Sequence, residues 1–185
     1  NLLGGETLAN QVSILNTAKD TNADTGIGGL GIMVTDGQFT ANELVVSGAS
    51  YVGIRADGES LLSLTDVKLD NISDGLPGLA EEDEPTALLA RGGSAVTANR
   101  LSIERSAGAG IGADGSQTSL TINQAKISRI ASSDHGYDGY GVQASGGAAV
   151  TLSQVEIQRS TSAGVLVQGT DTSMEIDNVT VSATR

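Results

Sequence analysis

Apolar and polar residues alternate along most of this chain, and the alternation slips at regular intervals. The slip is plainest in Thr151–Ile157 (TLSQVEI), where apolar side chains stand at the second, fifth and seventh positions. Related heptads are Leu8–Ile14 (LANQVSI), Thr40–Val46 (TANELVV), Ser63–Leu69 (SLTDVKL), Thr97–Ile103 (TANRLSI), Thr121–Ile127 (TINQAKI) and Glu175–Val181 (EIDNVTV). Two runs of period-two alternation, each the mark of a strand with one buried face, meet at the third position. Asn10, Asn42, Asn99 and Asn123 occupy it. Asn accepts the left-handed backbone and its amide can bond along a stack, so a tight bend is expected on this residue.

A second alternating element precedes each heptad after the first, as in Gly31-Ile32-Met33-Val34, Gly110-Ile111-Gly112-Ala113 and Gly164-Val165-Leu166-Val167. A turn signal follows it almost every time: Asp36-Gly37, Asp57-Gly58, Gly92-Gly93, Asp114-Gly115, Gly146-Gly147 and Gln168-Gly169. One unit is therefore strand, Gly turn, strand, bend, strand, return corner. The heptads begin at 8, 40, 63, 97, 121, 151 and 175, so the steps are 32, 23, 34, 24, 30 and 24 residues, long and short in alternation. The surplus falls at the return corner, in Leu15–Leu30, Asp70–Thr86 and Ser128–Tyr140, whereas Ser47–Val52, Glu104–Ala109 and Gln158–Ala163 are compact. Coils stacked about 4.8 Å apart leave about 10 Å between loops on every second coil, room for one packed layer.

The expected fold is all-β: a parallel solenoid of about seven coils, three short strands per coil, with long corner loops on alternate coils. Residues 1–185 form a single domain, read as a segment of a longer repeat protein. Stacking predicts one apolar column of Ile32, Ile54, Leu88, Ile111, Val142 and Val165, and another of Val12, Leu44, Val67, Leu101, Ala125, Val155 and Val179. A leucine-rich repeat has a similar length, but glycines stand where its helical half would be.

Composition narrows the function. With 25 glycines, no tryptophan and only Phe39, Tyr51, Tyr137 and Tyr140 as aromatics, the core must use small and β-branched side chains. A hydrophobic content of 38%, regularly spaced, argues against disorder. A net charge of −12 disfavours nucleic acid and anionic membranes as partners. No apolar run approaches the roughly 18 residues of a membrane span. The absence of cysteine excludes disulfides, thiolate metal sites and cysteine nucleophiles. No signal peptide is legible in Asn1–Asn10, so a leader is expected to be removed or to lie outside the sequence.

The Gly-Ile/Val strand, the Gly turn and the heptad with its Asn resemble the right-handed parallel β-helix repeats of the pectate-lyase-like superfamily. The two-coil version, with inserts such as Ser133-Asp134-His135-Gly136-Tyr137-Asp138-Gly139, is similar to repeat regions of bacterial exported proteins, myxobacterial ones among them. The resemblance implies a single-stranded, right-handed β-helix and a secreted or cell-surface location. It implies little about activity, because that scaffold carries lyases, hydrolases, adhesins and tailspikes.

Enzymes of this fold commonly place acids and bases on the outward face of one sheet. Beside the Gly strands that column reads Met33, Arg55, Leu89, Gly112, Gln143 and Leu166, without an acidic pair. No catalytic residue is assigned. Lys126 beneath Glu156 reads as a cross-strand pair on a solvated face. His135, the sole histidine, reads as a solvated loop residue, and Glu81-Glu82-Asp83-Glu84 as a solvated loop tip. Asp20, Asp24, Asp134 and Asp138 in the inserts are the candidate metal ligands, with calcium the ion their hard oxygens suit, although their spacing fits no complete calcium loop. No cofactor is otherwise required. A Thr-bearing face suggests ice binding, but Gln38, Leu61 and Glu175 interrupt it.

The expectation is a non-enzymatic structural or binding scaffold, a stalk or adhesin-like segment. Its partners would be further coils or end-to-end copies, and a carbohydrate or protein ligand at the insert edge. The alternative is a lyase or glycoside hydrolase acting on acidic polysaccharide at that edge.

Overall fold

The computed structural model describes residues 2–3, 5–17, 29–73, 85–133, 136 and 138–184. Among them, short and long strands alternate along the chain and sort into two sheets of seven. The short sheet runs Leu2–Leu3, Leu30–Thr35, Val52–Asp57, Thr86–Arg91, Ala109–Asp114, Tyr140–Ser145 and Ala163–Val167. The long sheet runs Glu6–Leu15, Gln38–Ser47, Leu61–Ile72, Ala95–Ala107, Ser119–Ala131, Ala149–Ser160 and Ser173–Ser182. Each strand pairs in parallel with its counterpart one coil away, so the strand order is the coil order. Among the described residues no helix is long and apolar enough to cross a membrane.

Both predicted apolar columns are in register, Ile32↔Ile54↔Leu88↔Ile111↔Val142↔Val165 and Val12↔Leu44↔Val67↔Leu101↔Ala125↔Val155↔Val179. The alternation of compact and long return corners also holds, with compact links at 48–51, 108 and 161–162. Much of the longer segments, 18–28, 74–84, 134–135 and 137, lies outside the described residues.

Two expectations are corrected. The second and third strands of a coil are one continuous ladder, so each coil contributes two strands to the sheets rather than three. The bend also lies one residue later than the Asn column. Gln11, Glu43, Asp66, Arg100, Gln124, Gln154 and Asn178, at the fourth heptad position, take φ of 52–56°. The ladder skips that residue and resumes: Asn10 pairs with Asn42, then Val12 with Leu44. One left-handed residue shifts the side-chain phase by one without ending the hydrogen bonding, much as a bulge does.

A second left-handed residue follows five positions on, at Asn16, Gly48, Asn71, Arg105, Arg129, Arg159 and Ala183. Two phase slips give an inward pattern of two, three, two, three: Val96, Ala98, Leu101, Ile103 and Ser106 are all buried. The fifth inward residue follows the corner type. It is Ile72 or Ile130 where the corner is long, and Ala49, Ser106 or Ser160 where it is compact. Ser106 Oγ donates to the Ala109 carbonyl at 2.9 Å, capping its tight corner from inside.

At the Gly turn a column of buried hydroxyls ties adjacent coils. Ser60 Oγ donates to Val34 O at 3.1 Å. Thr118 Oγ1 donates to Asp114 O at 2.9 Å and accepts Gly93 N–H at 3.0 Å. The glycines here and in the short strands are held by contact. Gly58 (φ 63°) would bring a Cβ within 2.0 Å of Asp36 Oδ1, which accepts Glu59 N–H. A Cβ on Gly141 would stand 2.4 Å from the Ile157 side chain, so the short sheet can close onto the heptad core only through glycine there.

Candidate functional site

The outward face of the short sheet is largely dry in the middle of the stack. Arg55 and Leu89 are each 8% exposed, and Val52, Thr86 and Ala109 are buried completely or nearly so. Tyr51, Val52 and Leu89 form a small apolar cluster there, with Leu30 packed against it. Asp57 closes the end of this face between two coils, accepting Arg55 Nε at 2.6 Å and Arg91 Nε at 2.7 Å. That carboxylate is neutralised by two guanidiniums and serves as a clamp between strands.

The return corner is different, because its second left-handed residue throws a side chain outward where the coil turns back. From Asn71 onward the occupants are Asn71, Arg105, Arg129, Arg159 and Ala183, preceded in sequence by Asp70, Glu104, Ser128, Gln158 and Ser182. Two of the three guanidiniums reach back one coil to the residue at that preceding position. Arg105 Nη2 bonds Asp70 Oδ2 at 2.7 Å, and Arg129 Nη1 bonds Glu104 Oε1 at 2.5 Å. For Arg159 the same register puts Ser128 at that place, and Ser128 carries no charge. Among the described lysines and arginines, Arg159 alone stands outside an ion pair.

Arg159 lines a half-open cleft of about 430 Å³ together with Arg129, Ile130, Ala131, Ser160, Thr161 and Ala183. Ala183 follows Arg159 in the left-handed column, and its small side chain occupies one wall. Ser160 is buried, and its hydroxyl has no hydrogen-bond partner among the described residues. The register of short-range motifs conceals this cleft: its signal in the sequence is the run Asp70-Asn71, Glu104-Arg105, Ser128-Arg129, Gln158-Arg159, legible only once the five-residue phase slip is known.

Of the candidate metal ligands, Asp20, Asp24 and Asp134 lie outside the described residues, as do His135 and Glu81–Glu84. Asp138 is exposed and engaged by hydroxyls. Its Oδ2 accepts the Tyr140 hydroxyl at 2.6 Å and its Oδ1 accepts Ser162 Oγ at 3.1 Å, which ties the end of one insert to the next compact corner. Among the described residues no three His, Cys, Asp or Glu side chains gather as a metal cluster. Lys126 and Glu156 do form the expected cross-strand pair, at 3.8 Å.

The bend at the fourth heptad position carries a separate ladder. Gln11 Nε2 donates to Glu43 at 3.0 Å, Arg100 forks onto Asp66 at 2.5 and 2.7 Å, and Gln124 Nε2 donates to Gln154 at 3.2 Å. These bonds join coils in pairs, the same pairs that the corner lengths define. The hydrogen bond from Arg100 holds the Asp66 carboxyl below its usual range, and Asp66 in turn raises Arg100.

A single-start stack of parallel strands with two sheets, glycine-lined closure and inserts at one corner defines a parallel β-helix. The chain belongs to the right-handed beta helix region family, whose model matches residues 16–181. No curated protein and no solved structure matches it.

Proposed function

We propose that this chain is a non-enzymatic scaffold segment of a bacterial exported or cell-surface protein, a rigid stalk whose return-corner edge does the recognising. The observation that carries this reading is how six of the described carboxylates are used. Asp57, Asp66, Asp70, Glu104 and Glu156 each pair with a cation on a neighbouring strand or coil, and Asp138 accepts two hydroxyls. A general acid or base needs a carboxyl free to exchange its proton near neutral pH. These carboxylates instead hold coils together.

Extension of the stalk by further coils or by copies stacked end to end accords with the last strand. Ile176 and Val181 are 54% and 46% exposed, although the residues in register one coil below, Leu152 and Ile157, are fully buried. A carbohydrate or protein ligand at the insert edge, and calcium among the insert aspartates, belong to the same proposal.

The test is release of unsaturated or reducing uronides from acidic polysaccharides, with and without calcium. No release is expected. Turnover that disappears in Asp138→Ala or His135→Ala would sink the scaffold reading and establish a polysaccharide lyase or hydrolase. Calorimetry with millimolar calcium tests the metal separately: a binding heat and a rise in thermal midpoint are expected, and absence of both removes it.

A further inference from the structure

We infer that the cleft beside Arg159 is a binding site for a small carboxylic acid with a compact apolar body. The argument starts from the ladder. In three successive coils an arginine occupies the second left-handed position, and in the first two it is neutralised by the acid one coil back, Asp70 for Arg105 and Glu104 for Arg129. Ser128 pairs with Glu104 on one side and with Gln158 on the other, so it holds the third acid's place. A protein of net charge −12 has carboxylates in excess, yet this guanidinium is left without one among the described residues.

The cleft supplies what the ladder omits. Arg159 offers a planar fork, the geometry that favours a carboxylate over a spherical anion. Arg129 is already committed to Glu104, so the site presents one free guanidinium and suits one carboxylate. The rest of the wall that solvent reaches is small, Ala131 and Ala183 with the Thr161 side chain beside them, while the Ile130 side chain points into the core. Thr161 Oγ1 is engaged with Ser132 Oγ at 2.8 Å, which leaves its methyl group as an apolar contact. A volume of about 430 Å³ exceeds what acetate would fill and admits a ring or a branched aliphatic body. The inference extends the scaffold reading in one respect only, that the ligand is held and not transformed.

The probes are benzoate, its neutral isostere benzamide, and acetate, titrated into the full chain and followed by amide and Arg side-chain NMR shifts. Benzoate is expected to saturate in the millimolar range, while benzamide and acetate each bind at least about tenfold more weakly, since charge-assisted bonding and apolar burial are both required. Two variants remove the charge by different routes. Arg159→Gln replaces the guanidinium with a residue that the left-handed bend already accepts at Gln154. Ser128→Asp keeps Arg159 but supplies the missing acid, whose position Asp70 and Glu104 show the ladder tolerates. Both should weaken benzoate about tenfold or more; Arg159→Gln should preserve the thermal midpoint, and Ser128→Asp should raise it slightly.

Lack of saturable benzoate binding by the unaltered chain overturns the inference. So does benzamide or acetate binding as well as benzoate, or retention of binding in both variants. These outcomes are independent of uronide release. Turnover of polysaccharide with intact benzoate binding would defeat the scaffold reading alone, and absence of both would defeat the cleft alone.

Discussion

The two left-handed columns of each coil use the same backbone device for different ends. At the fourth heptad position the side chains close on one another in pairs, Gln11 with Glu43, Asp66 with Arg100 and Gln124 with Gln154. Five residues later the guanidiniums of Arg105 and Arg129 reach back one coil, the series ends at Arg159 without a partner, and a cleft opens. A left-handed L-residue costs roughly 1–2 kcal/mol relative to its ordinary conformation, so in both columns the parallel ladder has to over-determine the backbone. What differs is that the first column closes within pairs of coils, whereas the second runs on from coil to coil and leaves its last arginine without a partner.

The largest effect separating the columns should come from Arg105→Ala. Asp70 has a side chain only 12% exposed, and one of its oxygens, Oδ1, is buried without a hydrogen-bond partner among the described residues. Lys68 stands 4.0 Å away and compensates only in part. Removing Arg105 strips the main counter-charge from a largely desolvated carboxylate, at about 2–3 kcal/mol. Ala is itself accepted at the equivalent Ala183, so the backbone is not the cause. Urea denaturation should show the loss, and Asp70→Asn on the same background should recover part of it. Full additivity of the two substitutions would mean that the pair contributes nothing.

A smaller effect should follow from the backbone itself. Gln154→Gly removes the Cβ penalty at φ 55° and should gain up to about 1 kcal/mol, offset in part by loss of the Gln124 bond. Gln154→Val sets a β-branched side chain in the same left-handed position and should lose about 1–3 kcal/mol. The same pair of substitutions at Gln158, which lies in extended backbone four residues on, should reverse the order, with Val the better tolerated. Equal responses at the two sites would show that the left-handed geometry carries no penalty in the stack.

These columns also mark where the sequence ceased to be legible. The apolar columns could be read directly, because inward positions such as Leu101, Ala125 and Val155 repeat at a fixed offset within every heptad. The bend was displaced by one residue because Asn99 and Asn123 carry the local preference for left-handed backbone, while the residues that adopt it are Arg100 and Gln124. Only Asp66 and Asn178 in that column are types that favour it. Stacking of neighbouring coils, a long-range effect, overrides the local preference. The cleft was hidden for a related reason: Ser128, Arg159 and Ala183 are far apart in the chain, and their relation depends on the register of coils rather than on any motif. The burial of Arg55 on an outward face likewise cannot be read from a period-two pattern.

The smallest effect, and the one most specific to the paired column, is a pH dependence. Asp66 is exposed, and its carboxyl is held below the ordinary value of 3.8 chiefly by the hydrogen bond from Arg100. A carboxyl depressed in the folded state binds a proton more readily when unfolded, so its contribution is present above about pH 3.8 and is lost as the pH falls through the folded value. Asp66→Asn keeps a residue suited to left-handed backbone and removes only the charge. The unaltered chain should therefore be slightly the more stable at neutral pH, with the difference shrinking below pH 3.8 and closing at stronger acidity. It should also fade in 1 M salt, where the screening length falls to about 3 Å. A difference that persists through acid and salt would assign Asp66 to packing instead, and the two columns would then be distinguished by geometry and not by charge.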